Sequence, residues 1–150
     1  MRITRAVITA AAEEQRHLPL QTLVDGNGKA RSLLALLVGS ALEAGVEEVC
    51  VVIAPGDRDA YGRVLGAAAS HVVFVEQSAP RGYGDAVLRA RDVVGDEPFL
   101  HLIGDHVFIS TGKRTCVEQV IETAVAHECS VSAVVETRES MLPRFGAVGG

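Results

Sequence analysis

Short apolar runs rich in Val and Ile alternate along this chain with stretches whose apolar residues recur at helical spacing. This alternation constrains the fold more than any other feature. The runs are residues 3–9 (ITRAVIT), 48–54 (EVCVVIA), 72–76 (VVFVE), 98–103 (PFLHLI) and 130–136 (SVSAVVE). Between them, helical stripes fall at Leu33, Leu34, Leu37, Val38, Ala41 and Leu42; at Val64, Leu65 and Ala68; at Ala86, Val87, Ala90 and Val94; and at Val117, Val120, Ile121, Ala124 and Val125. A strand that is apolar on both faces must be covered on both faces, which amphipathic helices between parallel strands accomplish. The pattern predicts an α/β domain of three layers, α/β/α, Rossmann-like, with a mostly parallel sheet. Its first strand, apolar nearly throughout, should be central, with right-handed crossovers. Ala44-Gly45 marks the end of the helix that begins near residue 31, and Pro55-Gly56-Asp57 leads into the next one.

At 150 residues the chain fits a single domain, residues 1–150, without linker or repeat. Its 14 Lys and Arg are scattered against 19 Asp and Glu, so no basic stripe is available to neutralise a phosphate backbone, and nucleic acid is excluded as the main partner. The longest apolar runs, Leu33 to Val38 and Val49 to Ala54, fall far short of the ~20 residues of a membrane span. The amino terminus enters its first strand without the apolar stretch of a secretory signal, which points to the cytoplasm. Cys50, Cys116 and Cys129 form no Cys-x-x-Cys pair and read as small buried hydrophobes in a reducing compartment.

In a parallel sheet, ligands bind beyond the carboxyl ends of the strands, which directs attention to residues 10–30, 55–58, 77–85, 104–112 and 137 onward. The segment Ala10 to Pro19 has no glycine, so it is not a dinucleotide-binding turn. Gly26-Asn27-Gly28-Lys29 has Leu23 and Ala30 where a phosphate loop requires Gly and Ser or Thr, and Asp25-Gly26-Asn27-Gly28 reads as a tight turn. More informative are Phe74-Val75-Glu76-Gln77-Ser78-Ala79-Pro80-Arg81-Gly82-Tyr83-Gly84-Asp85-Ala86-Val87, then Leu102-Ile103-Gly104-Asp105-His106-Val107-Phe108, and finally Phe145-Gly146-Ala147-Val148.

Together with the opening Ala6-Val7-Ile8-Thr9-Ala10-Ala11 and with Arg16, Leu18 and Pro19, these segments resemble the sugar-phosphate nucleotidyltransferases. The resemblance is greatest to the amino-terminal part of the bacterial UTP–glucose-1-phosphate uridylyltransferase group and runs along nearly the whole chain. It implies transfer of a nucleotidyl group from UTP or dTTP to a sugar 1-phosphate, with release of pyrophosphate. It also implies site residues: Ala11 and Ala12 along the triphosphate, Arg16 as the catalytic cation, Gln77 and Gly82 at the base, Gly146 at the sugar, and Asp105 as ligand to Mg²⁺. A homo-oligomer is compatible with it.

The departures from the family pattern carry physical weight. Ala12 and Glu14 replace the two glycines of the family's phosphate loop, and Gln15 replaces its Thr. Glycine allows positive φ and close phosphate approach, whereas Glu14 sets a carboxylate beside a polyanion. No Pro-Lys-Pro segment stands between Pro19 and Leu33, where Lys29 and Arg31 are the cations, and Asp85 replaces the usual His, Thr or Asn. Two readings stay open: a nucleotidyltransferase-like domain, with or without turnover, and a non-catalytic module that binds a nucleotide, a sugar nucleotide or a partner protein.

Overall fold

The computed structural model describes residues 1–79, 81–144 and 148. In chain order the elements are β1 (Arg5–Thr9), β2 (Thr22–Val24), β3 (Ala30–Ser32), α1 (Leu33–Glu43), β4 (Glu48–Ile53), α2 (Arg58–Leu65), β5 (Val72–Glu76), α3 (Tyr83–Arg89), α4 (Arg91–Val94), β6 (Phe99–Ile103) and α5 (Cys116–His127). Short 3-10 helices lie at Leu18–Leu20, Gly66–His71 and Glu139–Arg144.

Ala6, Val7 and Ile8 are wholly buried, as a strand must be when it has neighbours on both sides and cover on both faces. β1 pairs in parallel with β4 on one side and β6 on the other, and β5 adds beyond β4, giving the order β5-β4-β1-β6. Side chains along each strand alternate between the faces. Ala6, Ile8, Val49, Val51 and Ile53 pack with Leu34, Leu37 and Val38 of α1, with Tyr61 and Leu65 of α2, and with Val117 of α5. Val7, Cys50 and Val52 pack on the opposite face with Ala86, Ala90 and Val94 of α3 and its continuation. The fold is thus the expected three-layer, parallel α/β arrangement with β1 inside.

Local chemistry sets the boundaries. The Ser32 hydroxyl accepts from the Ala35 amide at 3.0 Å and caps α1. At the other end Gly45 takes φ +94°, which lets the Val46 amide reach back to the Ala41 carbonyl at 3.1 Å. Asp25-Gly26-Asn27-Gly28 is the turn of an antiparallel hairpin between β2 and β3. The Asp25 carboxylate accepts from the amides of Asn27 and Lys29, each at 2.9 Å, and these bonds hold it below the usual carboxylate range.

Two expectations fail. Residues 130–136 form no strand, and Val134 and Val135 are 70% and 84% exposed. A strand needs a ladder partner for its amides and carbonyls, and among the described residues none stands beside this segment. Its first residues, 130–133, instead line an open groove of about 830 Å³ together with residues of β6 and α5. Of the cysteines only Cys50 is buried, its thiol pushed up to about 11 by burial; Cys116 is half-buried and Cys129 exposed. Among the described residues no helix is long and apolar enough to cross a membrane.

Candidate functional site

A cavity of about 500 Å³ opens where β1 and β6 end, bounded by residues 9–15, by Gln77, Gly82, Tyr83 and Ala86, and by Ile103, Gly104 and Asp105. It occupies the carboxyl edge of a parallel sheet, where the fold leaves strand ends and helix starts facing a common space. Of the sequence-predicted residues, Ala11, Ala12, Gln77, Gly82 and Asp105 all line it. Arg16 does not. Gly146 lies outside the described residues.

The floor is set by a close approach of two strand ends. Gly104 donates its amide to the Thr9 carbonyl at 2.9 Å, and a Cβ there would stand 2.8 Å from that oxygen and 2.9 Å from Ala10 Cβ. Only glycine fits, and the contact sets Asp105 beside the loop that follows β1. Asp105 Oδ1 accepts from His106 Nδ1 at 2.6 Å, while Oδ2 meets no donor among the described residues. The His106 ring stacks near Phe108, with centroids 6.5 Å apart.

The loop after β1 is tied down from behind. Tyr61, fully buried on α2, donates its hydroxyl to the Arg16 carbonyl at 2.8 Å, with the Ala10 carbonyl 3.2 Å away. Burial pushes the phenol well above its ordinary value. The Arg16 guanidinium turns to Asp57 Oδ1 at 2.6 Å, at the start of α2. Asp57 is 8% exposed and its Oδ2 is buried without a partner, so withdrawing Arg16 would strand a buried carboxylate. Arg16 is therefore engaged structurally. The lining of the cavity contains Glu13, Glu14 and Asp105 and neither Lys nor Arg.

The opposite wall is polar and ordered. Gln77 extends β5, its amide bonded to the Ile53 carbonyl at 2.9 Å, and its side chain is almost fully buried. Gln77 Nε2 donates to the Gly82 carbonyl at 3.2 Å and to Asp85 Oδ2 at 2.7 Å. Gly82 takes φ +95°, a conformation that favours glycine, and turns the chain into α3. Arg89 pairs with Asp85 one turn along the helix at 3.0 Å. The bond from Gln77, then the Arg89 guanidinium, hold the Asp85 carboxyl below its ordinary value.

Sequence reasoning missed three parts of this site. One is the Tyr61 tether. Another is the grip of Asp85 on Gln77. The third is a bridge in which His101 Nδ1 lies 2.7 Å from the Tyr83 hydroxyl and His101 Nε2 lies 3.3 Å from Thr9 Oγ1. Burial lowers the affinity of His101 for a proton and raises that of the Tyr83 phenolate. The one available signal was a lone His inside the apolar run FLHLI.

Among the described residues no group of three or more His, Cys, Asp or Glu could hold a metal ion. The donor set fits Mg²⁺ in its phosphate-bound mode, where one or two carboxylates suffice and phosphates and water complete the octahedron. Asp105 would be that carboxylate.

A family model described as nucleotidyl transferase matches residues 17–149. Among curated proteins, UTP–glucose-1-phosphate uridylyltransferase of Streptococcus pyogenes is 26% identical over 98% of the chain and 57% of its own length. The enzyme of the same name from Mycoplasma pneumoniae is also 26% identical, over 98% of the chain and 59% of its own length. The chain thus spans a little over half the length of these relatives. A UDP-glucose pyrophosphorylase solved with UDP-glucose superposes with TM-score 0.69 at 21% identity, over 85% of the chain and 55% of that structure. The UTP-bound enzyme from Acinetobacter baumannii gives 0.67 at 23% identity, over 85% and 54%. At these identities the superpositions speak for the fold.

Proposed function

The chain belongs to the nucleotidyl transferase family, and from that premise we propose that its cavity takes a uridine or thymidine nucleotide with the base against Gln77 and Gly82. It is a domain related to the UDP-glucose pyrophosphorylases. We assign residues 1–150 as one nucleotidyltransferase-like unit corresponding to the amino-terminal part of the family fold. The observation that carries the proposal is the convergence of Ala11, Ala12, Gln77, Gly82 and Asp105 on one cavity at the sheet's carboxyl edge.

The reaction class is attack of a sugar 1-phosphate oxygen on the α-phosphorus of UTP or dTTP, with pyrophosphate leaving in line. Such chemistry depends on positioning and on neutralising charge more than on a general base. Gln77 and Gly82 would orient the base. The loop Ala10 to Gln15, held by Tyr61, would lie along the phosphates, and Asp105 would hold Mg²⁺. Magnesium bound there supplies charge neutralisation for the triphosphate. Arg16 would contribute only by leaving Asp57.

A specific observation favours the non-catalytic reading for this chain by itself: the cavity wall carries three carboxylates, and the cation beside it is committed to Asp57. Calorimetry with UTP, dTTP, ATP and GTP in magnesium tests the base assignment. Pyrimidine nucleotides should bind more tightly; equal affinity for purines and pyrimidines would remove it.

A further inference from the structure

Two facts about the buried Gln77 side chain fix more than its presence. Its Nε2 lies 2.7 Å from Asp85 Oδ2 and 3.2 Å from the Gly82 carbonyl, both of which can only accept. An amide facing two acceptors must turn its NH₂ toward them, so the assignment of nitrogen and oxygen follows from the partners. The carbonyl oxygen then points away from Asp85. Gln77 lines the cavity, and Oε1 receives no donor among the described residues. The cavity is thus offered an acceptor and no donor from this side chain.

We infer that Asp85 is a positioning residue that locks the Gln77 amide with its oxygen toward the cavity, so that the site selects a base presenting a ring N–H over one presenting a bare ring nitrogen. Uracil and thymine carry hydrogen on N3 and can donate to Oε1. Cytosine presents a lone pair at the same place and meets the oxygen acceptor to acceptor. Without Asp85, only the longer 3.2 Å bond to the Gly82 carbonyl would favour this orientation, and Gln77 could turn its amide over at the cost of that one bond and serve cytosine as a donor. The inference rests on the reading of this cavity as a nucleotide site and adds to it the means of discrimination.

The lock depends on Asp85 remaining a carboxylate. Arg89 on the same helix bonds to it through Nη2 at 3.0 Å and Nε at 3.4 Å, and Arg81 in the loop before α3 adds a further positive charge nearby. Together with the Gln77 bond they keep the group ionised and acceptor-only. A neutral Asn at the same position has both an oxygen and an NH₂ to offer, so position 85 no longer dictates the orientation of Gln77, and only the longer bond to the Gly82 carbonyl favours the original one.

The test uses the chain as it stands, with Asp85→Asn as the near-isosteric variant and Asp85→Ala as a second in case the first folds poorly. Nitrogen–proton spectra without ligand read the lock directly: the Gln77 side-chain NH₂ signals, identified by their loss in Gln77→Ala, should move in Asp85→Asn more than any other side-chain amide. Unmoved signals would overturn the lock. Equilibrium binding of UTP and CTP then reads selectivity. The UTP preference of the unaltered chain should narrow about tenfold in both variants, the scale of one mismatched buried hydrogen bond, mainly because CTP binds better. A preference that survives in Asp85→Asn and Asp85→Ala would overturn selection by the lock while leaving the nucleotide site standing. If neither nucleotide binds the unaltered chain although the amide signals respond, the nucleotide reading falls and takes the selectivity with it.

Discussion

The two ends of the proposed nucleotide site, one assigned to the base and one to the phosphates, are built to different standards. At the base end, Gln77 is buried, bonded at both donor positions and backed by the Asp85–Arg89 pair, with Gly82 in the turn that lets α3 begin there. At the phosphate end the backbone is equally well anchored, through Tyr61 and the strand-end contact at Gly104, yet its charge is wrong for a triphosphate. Glu13 and Glu14 face the space, and Arg16 is drawn away to Asp57. The residues proposed to hold a nucleotide line one cavity of about 500 Å³. What that cavity lacks is charge complementarity to a triphosphate. A fold can keep a ligand-shaped site while losing the electrostatics that chemistry on that ligand requires, since the first is set by packing and the second by a few exposed side chains.

The largest effect expected from this contrast is on turnover. A carboxylate held ~4 Å from a phosphate oxygen costs roughly 1 kcal/mol in water and ~4 kcal/mol at an effective dielectric of 20, the latter equivalent to about a thousandfold. The chain alone should therefore form UDP-glucose from UTP and glucose 1-phosphate, with magnesium, at a rate orders of magnitude below an ordinary ~10 per second. Turnover at that ordinary rate would erase the distinction between the two ends.

Restoring glycine at both Ala12 and Glu14 removes one carboxylate and frees the backbone. It should tighten UTP about tenfold or more at low salt while leaving uridine affinity unchanged, and the gain should shrink as salt screens the exposed charge. A parallel gain for uridine would mean that the substitution had reshaped the cavity rather than altered its field. Of similar size is the base-end counterpart. Gln77→Ala should weaken UTP and uridine alike by about 1–2 kcal/mol, the worth of a neutral hydrogen bond. Loss confined to UTP would place Gln77 at the phosphates.

Much of this fold was legible because burial writes itself into composition. Val49 to Ala54 and Ala6 to Ile8 are apolar on both faces, and only a central parallel strand uses such a sequence. Residues 130–136 have the same local chemistry, yet strand formation depends on a neighbour that the segment itself cannot encode. The β2–β3 hairpin escaped notice for the opposite reason: three-residue strands are too short to show a period, although their turn was recognisable from Asp25 to Gly28. At the site, the residue types at Gln77, Gly82 and Asp105 pointed to one place, and they line one cavity. The diversion of Arg16 could not be read, since it depends on a bond to Asp57, 41 positions away, and on the burial of that carboxylate. Nor could the pairing of Asp85 with Gln77, which requires the turn between them to be folded.

The finest distinction between the ends concerns pH. Asp85 has its folded pKa depressed below the ordinary 3.8, first by the Gln77 bond and then by Arg89. Its contribution to stability is complete above 3.8 and disappears as the pH falls through the lower folded value. Tyr61 has its folded pKa raised above the ordinary 10.0, chiefly by burial. Its contribution is complete below 10.0 and is lost as the pH climbs toward the raised value, because the phenolate cannot donate to the Arg16 carbonyl and cannot remain buried cheaply. The base end should therefore loosen in acid and the phosphate loop in alkali. Melting curves of the unaltered chain, Asp85→Asn and Tyr61→Phe across the pH range separate the two. The stability advantage over Asp85→Asn should vanish at the acid limit, while the advantage over Tyr61→Phe, about 1 kcal/mol at neutral pH for a lost hydroxyl bond, should vanish only on the alkaline side. If both advantages faded on the same side, the two ends would be one cooperative unit, and the contrast between an ordered base end and a tethered but misfit phosphate end would have to be drawn from charge alone.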